Sequence, residues 1–233
     1  GGAINGIIVV YGRLQPIVVT LATGAVFSGI ALFIRPTPGG EVDGDLSWVA
    51  TNALSELPAT YGWWGGNPPA WFNAISGIPM PIVLLVAVVV FIWLPFKNSE
   101  TGRAVYAVGS NRTVAILSGI RADRIKIYCL MIVGFTASLG GLVSLARLGA
   151  VSPNTGEGLE FEVIAAVVIG GTSLSGGQGK ILRTVIGVII IALTRNFLNL
   201  ARIETFWQGF ATGTIILAAV LLEALQRRIS ARG

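Results

Sequence analysis

The chain has 233 residues, of which 53% are hydrophobic and only 12% charged, and its mean hydropathy is +0.77. A soluble globular chain carries about 25% charged residues, so this composition leaves too little polar surface for a water-soluble protein of this size and predicts a membrane protein. The sequence has no His and a single cysteine, Cys129, which excludes a His-ligated zinc site, a Ser-His-Asp triad and an internal disulfide.

Apolar segments long enough to cross a membrane follow one another along the chain. A helix of about 20 apolar residues crosses the roughly 30 Å hydrocarbon core. Residues 1–10 look like the last turns of a span, and residues 161–171 are apolar but cover about half the membrane. The predicted fold is therefore all-α, a polytopic transmembrane helical bundle in which residues 1–233 form a single transmembrane domain. The five full spans predicted are 16–34, 78–96, 127–148, 181–201 and 207–225.

The charges between these spans predict their orientation. Segment 97–126 carries six basic and two acidic residues, whereas segment 35–78 carries one basic and four acidic residues. Basic loops are retained in the cytoplasm, so we expect the first segment inside, the second outside and the Arg-rich C-terminus inside. This retention accounts for the net charge of +5, and nucleic-acid binding is not needed to explain it.

A break in a helix is predicted at 170–180, where the sequence reads GGTSLSGGQGK. Because the final span must end inside, 181–201 must run outward, and the short segment 161–171 must then enter from the outside and stop near mid-membrane. Non-helical backbone at that depth requires protein or water around it and is typical of transporters. A short cytoplasmic turn between two ordinary helices is the alternative.

The letters LSGGQ, at 174–178, also spell the signature of ABC-type ATPases, and GQGK ends like a P-loop. A Walker A motif requires a Gly six residues before its Lys and a Ser or Thr after it. Leu174 and Ile181 occupy those two positions around Lys180, and a membrane segment rather than a strand precedes them. The sequence therefore excludes an ATPase.

Two long motifs resemble the membrane permease subunit of ribose-type (monosaccharide) ABC importers. They are EFEVIAAVVIGGTSLSGGQGKI at 160–181 and the segment 102–127, which from Tyr106 onward reads YAVGSNRTVAILSGIRADRIKI; shorter matches are VTLAT (19–23), ARLGAVSPNTGEG (146–158) and NFLNLARI (196–203). The sequence departs from the family pattern at Glu162, where Asp is more usual, and at Arg195, where a neutral residue such as Asn is usual. Thr113 and Val114 replace an Ala pair. Family members are longer, so the chain is expected to lack the N-terminal spans of a full-length permease.

The resemblance implies a transport subunit, not an enzyme, with no cofactor of its own. It implies a second permease copy in a homodimer, a cytosolic ABC ATPase subunit, an extracytoplasmic sugar-binding protein and a bacterial inner membrane as the location. The expected cargo is a monosaccharide such as ribose, xylose or arabinose; branched-chain amino acids or nucleosides are the alternative. An ion-coupled secondary transporter is disfavoured, because Glu223, at an inner end, is the only acidic residue in the predicted full spans. A membrane-bound enzyme is disfavoured by the absent His.

The resemblance also implies a cytosolic coupling helix, and residues 109–120 are the candidate. Asn111 is a suitable N-cap, and Gly119 can end the helix with a positive φ. A solvated basic loop that serves only orientation is the alternative. The residues expected to contact the ATPase are Asn111, Arg112, Val114, Leu117, Ser118 and Gly119.

Polar and small residues around the helix break are the candidates for the translocation pathway. Two carboxylates that precede the short helix either interact with its dipole or face the external vestibule. The small residues at the break either line a constriction or permit close helix packing, and two Asn side chains on the next span face the pore or another helix. Arg195 is expected to snorkel to the outer interface. The predicted pathway residues are Glu160, Glu162, Gly170, Gly171, Thr172, Ser173, Asn196 and Asn199.

Overall fold

The computed structural model describes residues 1–37, 39, 41–58, 62, 69–149, 156, 158–173, 176–202 and 204, and single positions at 207, 209, 210, 213, 214, 217 and 221. Regular structure in these ranges is helical, without a β-strand, which confirms the all-α class. A 3₁₀ turn spans Leu54–Glu56. The α-helices are α1 Gly2–Tyr11, α2 Pro16–Ile34, α3 Gly44–Thr51, α4 Ala70–Ile75, α5 Met80–Asn98, α6 Glu100–Ser110, α7 Arg112–Leu117, α8 Ala122–Leu148, α9 Leu159–Ile169 and α10 Ile181–Leu200.

Four of the described helices, α2, α5, α8 and α10, are long and apolar enough to cross a membrane. The bounds of α2 coincide with the predicted span, and α10 ends one residue before the predicted limit. Helix α8 begins at Ala122 rather than at 127. The predicted span starts only where the apolar run begins, whereas the helix starts with a polar turn in which Asp123 interacts favourably with the helix dipole. The predicted span 207–225 falls outside the described residues except for isolated positions.

The contacts divide the chain into two compact units, and the first comprises residues 1–98 and 123–155. In it α1 lies against α8 at a glycine-lined contact. A Cβ on Gly2 would lie very close to the carbonyl oxygen of Leu130, and one on Gly6 would lie 3.1 Å from Cα of Ile127. The absence of side chains thus lets the two backbones approach, as small residues do in membrane helix pairs.

The second unit comprises residues 99–122 and 156–233 and contains α6, α7, α9 and α10. Every predicted coupling and pathway residue lies in this unit. The assignment of 1–233 to one transmembrane domain stays a prediction.

Candidate functional site

Helix α6 leads into the predicted coupling segment. Its N-cap is Ser99, whose hydroxyl oxygen accepts a hydrogen bond from the N–H of Gly102 at 3.1 Å, and Glu100 lies in its first turn. The sequence alone predicts only a basic segment over 97–126 with a helix at 109–120, so a helix over Glu100–Ser110 is an addition to that expectation. A Ser followed by an acidic residue is an N-terminal helix signal that could have revealed it.

Helix α7 has the predicted cap residues at both ends, but it is shorter than the predicted helix 109–120, because Gly109 and Ser110 belong to α6. The Asn111 side-chain oxygen accepts a hydrogen bond from the N–H of Val114 at 3.1 Å, which confirms Asn111 as the N-cap. Gly119 has φ +84°. Its N–H donates to the Ile116 carbonyl at 2.9 Å, while the N–H of Ile120 donates to the Ala115 carbonyl at 3.0 Å. These two bonds form a Schellman motif, so a helix of only six residues has a defined beginning and end.

The outer face of α7 is apolar and exposed. Leu117 is 82% exposed and Val114 56%, whereas Ala115, on the opposite side, is 2% exposed. The Ser118 hydroxyl donates to the Val114 carbonyl at 2.9 Å and is therefore engaged within the helix itself. Arg112 is also exposed. This short element thus presents three large apolar side chains, those of Val114, Ile116 and Leu117, beside a cationic one. Such a combination is suited to a protein partner.

Helices α9 and α10 form an antiparallel hairpin with a close backbone contact. Ala165, Ala166 and Ile191 are its buried core. A Cβ on Gly187 would overlap the Ala166 carbonyl oxygen, and one on Gly170 would lie 2.6 Å from the carbonyl oxygen of Arg183. Close packing therefore accounts for Gly170. Helix α9 has 11 residues, roughly 16 Å at 1.5 Å per residue, and so matches the predicted half-length segment.

Backbone N–H groups at the break between α9 and α10 donate hydrogen bonds to other groups of the protein. Gly171 has φ +73°, and its N–H donates to the Val168 carbonyl at 2.8 Å while that of Thr172 donates to the Val167 carbonyl at 3.1 Å. The hydroxyl oxygens of Thr172 and Thr184 are 3.1 Å apart. Helix ends leave N–H and C=O groups without intrahelical partners, and these backbone bonds supply partners for some of them.

Ser173 begins the turn that follows. Its N–H donates to the Gln178 carbonyl at 3.0 Å, and its carbonyl accepts from the N–H of Gly176 at 3.1 Å. Residues 174 and 175 lie outside the described residues. The turn therefore has its own hydrogen bonds in addition to those of the helix ends.

The two carboxylates differ in their surroundings. Both lie inside the first turn of α9, which begins at Leu159, rather than before the helix. The Arg195 guanidinium donates to the Glu162 carboxylate at 2.7 Å, and the two side chains are 48% and 21% exposed. Arg195 is therefore tied to α9 rather than only extended toward an interface. Glu160 is exposed.

The two asparagines of α10 are both exposed on the described chain. Asn196 and Asn199 follow Arg195 toward the end of the helix, which ends at Leu200. An exposed amide suits contact with a solute or with another helix. Their assignment to the pathway stays a prediction.

A family described as the permease component of the branched-chain amino acid transport system matches residues 1–220. The chain belongs to this permease family. It is 37% identical over 94% of its length to the ribose import permease protein of Bacillus subtilis strain 168. It is 35% identical over 95% to that of Escherichia coli K12, and 36% identical over 96% to the D-allose transport system permease protein of the same strain.

The chain spans 62 to 64% of the length of these curated relatives. No solved structure matches it. Membership of a permease family, together with the four apolar helices, makes the chain an integral membrane protein.

Proposed function

We propose that this chain forms part of the translocation pathway of an ABC importer that carries a monosaccharide of the ribose, xylose or arabinose kind. The observation that carries the proposal is the similarity to ribose and allose import permeases over 94 to 96% of the chain. In this proposal a separate ATPase subunit hydrolyses ATP, and the permease converts that subunit's movement into access to one side of the membrane or the other.

Helix α7 is the proposed docking element for the ATPase. The side chains of Val114 and Leu117 insert into an apolar groove of the partner, and Arg112 interacts with an acidic rim. Asn111 and Gly119 give the element its limits. Support comes from the exposed apolar face, since a short helix that leaves 82% of a Leu side chain exposed gains by covering it.

The polar residues at and near the break are the proposed contacts for the sugar. Hydroxyl and amide groups suit a polyol, because they both donate and accept hydrogen bonds. The proposal places the cargo beside the start of α9, the turn that follows this helix, and the exposed end of α10. The residues assigned to this path are Glu160, Glu162, Gly171, Thr172, Ser173, Asn196 and Asn199. Gly170 is left out of it, because the backbone of α10 packs directly against this glycine.

The proposed assembly contains two copies of the permease, the ATPase and an extracytoplasmic sugar-binding protein, in a bacterial inner membrane with the C-terminus in the cytoplasm. The excess of basic residues in 97–126 supports this orientation. Branched-chain amino acids are a second candidate cargo, favoured only by the family description. The sugar is preferred because the relatives compared above are named for ribose and allose.

Reconstitution with the ATPase and a panel of binding proteins tests the proposed function. The full permease is placed in vesicles, and ATP hydrolysis and radiolabelled solute uptake are measured together. A monosaccharide-loaded binding protein is expected to stimulate both activities, whereas one loaded with leucine is expected to stimulate neither. The proposal would be overturned if only the leucine-loaded binding protein stimulated ATP hydrolysis and uptake, or if solute uptake occurred without any ATPase.

A further inference from the structure

The end of α6 and the glycine-rich turn before α10 are in direct backbone contact. A Cβ on Gly109 would lie 2.7 Å from the backbone nitrogen of Gly177, one on Gly176 would lie 2.8 Å from the Gly109 carbonyl oxygen, and one on Gly177 would lie 2.7 Å from Cα of Ser110. Separations this short leave no room for a side chain at any of the three glycines. We call these four residues, Gly109, Ser110, Gly176 and Gly177, the glycine contact.

A side-chain hydrogen bond holds the glycine contact from the α6 side. The Tyr106 hydroxyl donates to the Gly179 carbonyl at 2.9 Å across 73 residues of sequence. Tyr106 lies one turn before Gly109 on the same helix. The turn therefore contacts α6 at two positions one helical turn apart, Tyr106 and Gly109.

The other end of the turn is attached to α10. Lys180, the residue after Gly179, is the N-cap of α10. A Cβ on Gly179 would lie 2.7 Å from the side chain of Thr172, whose hydroxyl is itself 3.1 Å from that of Thr184 on α10. A displacement of the turn therefore acts directly on the start of α10 and on the end of α9.

Only one residue, Asn111, separates the glycine contact from α7. Asn111 is both the last cap of α6, with its N–H donating to the Ala107 carbonyl at 3.0 Å, and the first cap of α7. One residue thus joins the two helices and is hydrogen-bonded into both. Closely packed backbones are hardly compressible, so a shift of α7 must move the glycine contact as well.

We infer that the glycine contact transmits movement of α7 to the α9–α10 hairpin, with Gly109 and Tyr106 as its positioning residues. This inference rests on the proposed function, in which α7 docks on the ATPase. It gives residues 176–179, whose sequence resembles a nucleotide-binding motif without matching a Walker A pattern, a mechanical role. Its consequence is that loosening the contact separates ATP hydrolysis from transport.

Gly109→Ala tests the inference, because the new Cβ pushes against the backbone of Gly177 while the helical conformation of residue 109 suits Ala. The variant full permease is assembled with its ATPase and loaded binding protein in vesicles, and the ratio of sugar taken up to ATP hydrolysed is measured. We expect normal assembly and retained ATP hydrolysis, with the ratio lower by about fivefold or more, the low end of typical coupling between sites.

Two further variants keep this test decisive. Gly140→Ala, also inside a helix but with no atom within 4 Å of its Cβ, is the matched control and is expected to keep the wild-type ratio. Tyr106→Phe removes only the hydroxyl and is expected to lower the ratio about twofold or more, the effect of losing one hydrogen bond. It also gives a result if Gly109→Ala does not assemble.

The results separate the inference from the proposed function. An unchanged ratio of sugar taken up to ATP hydrolysed in assembled Gly109→Ala and in Tyr106→Phe would overturn the inference. The same holds if ATP hydrolysis and uptake fall in equal proportion, because that result marks a merely structural contact. A wild-type complex whose ATP hydrolysis ignores the sugar-loaded binding protein would instead overturn the proposed function.

Discussion

Glu162 and Arg195 are two unusual residues of this sequence, and their contact in the structure accounts for both. Both residues depart from the pattern that the resemblance to ribose-type permeases implies, and the structure joins them in one ion pair at 2.7 Å. Glu is one methylene longer than the usual Asp, so it extends farther toward the guanidinium on the neighbouring helix. The pair fastens the first turn of α9 to the second half of α10, at the end of the hairpin away from the close packing at Gly170.

A double-mutant cycle measures this ion pair. Glu162→Gln, Arg195→Gln and the double variant are expected to show a coupling free energy of about 0.5–1 kcal/mol, the upper part of the range for partly exposed pairs, because Glu162 is only 21% exposed. The measurement is the free energy of unfolding of the full permease in detergent. Glu160→Gln with Arg195→Gln is the control cycle and is expected to be additive; additivity in both cycles would contradict the prediction.

Helix α7 depends on its caps, because a helix of six residues is too short to be stable on propensity alone. Its N-terminal cap is a side chain, whereas its C-terminal cap depends on the positive φ of Gly119. No described atom lies within 4 Å of a Cβ placed on this glycine. Backbone conformation, and not space, therefore makes glycine suitable there.

Gly119→Ala and Gly119→Asn distinguish conformation from space. Left-handed backbone costs Ala roughly 1–2 kcal/mol, whereas Asn tolerates it better. We expect Gly119→Ala to lower the hydrogen-exchange protection of the α7 amides and the affinity for the ATPase, and Gly119→Asn to lie between it and wild type. Equal losses in the two variants would mean that the space around residue 119, and not its φ, matters.

Local features of this chain could be predicted from sequence, and contacts between distant residues could not. The limits of α2 follow from a continuous apolar run, and the caps Asn111 and Gly119 follow from residue types beside a short apolar pattern. Helix α6 escapes prediction because its polar and basic residues are equally typical of a charged loop. The Glu162–Arg195 pair and the Tyr106–Gly179 bond join residues 33 and 73 positions apart, and no local periodicity records such pairings.

On the scale of the whole molecule, the apolar helices leave much of their surface uncovered. Helix α5 has no buried residue, and Phe33 on α2 and Phe91 on α5 are 90% and 82% exposed. In water this surface would be costly, since each Å² of exposed apolar area costs about 25 cal/mol. Lipid chains are surroundings in which such helices are stable, in agreement with an integral membrane protein.

The orientation of the molecule in its membrane is predicted from charge and can be tested with cysteine labelling. Cys129 is the only cysteine, so replacing it by Ala and introducing one new cysteine gives a single reactive site. Basic segments are retained in the cytoplasm; Arg112→Cys is therefore expected to react with a membrane-impermeant maleimide in inside-out vesicles and not in spheroplasts. Ser47→Cys, on the acidic segment 35–78, is the matched site and is expected to show the opposite pattern. Labelling of Arg112→Cys in intact spheroplasts would mean that the orientation is the opposite of the predicted one. Helix α7 would then lie outside the cell, where no cytosolic ATPase can bind it.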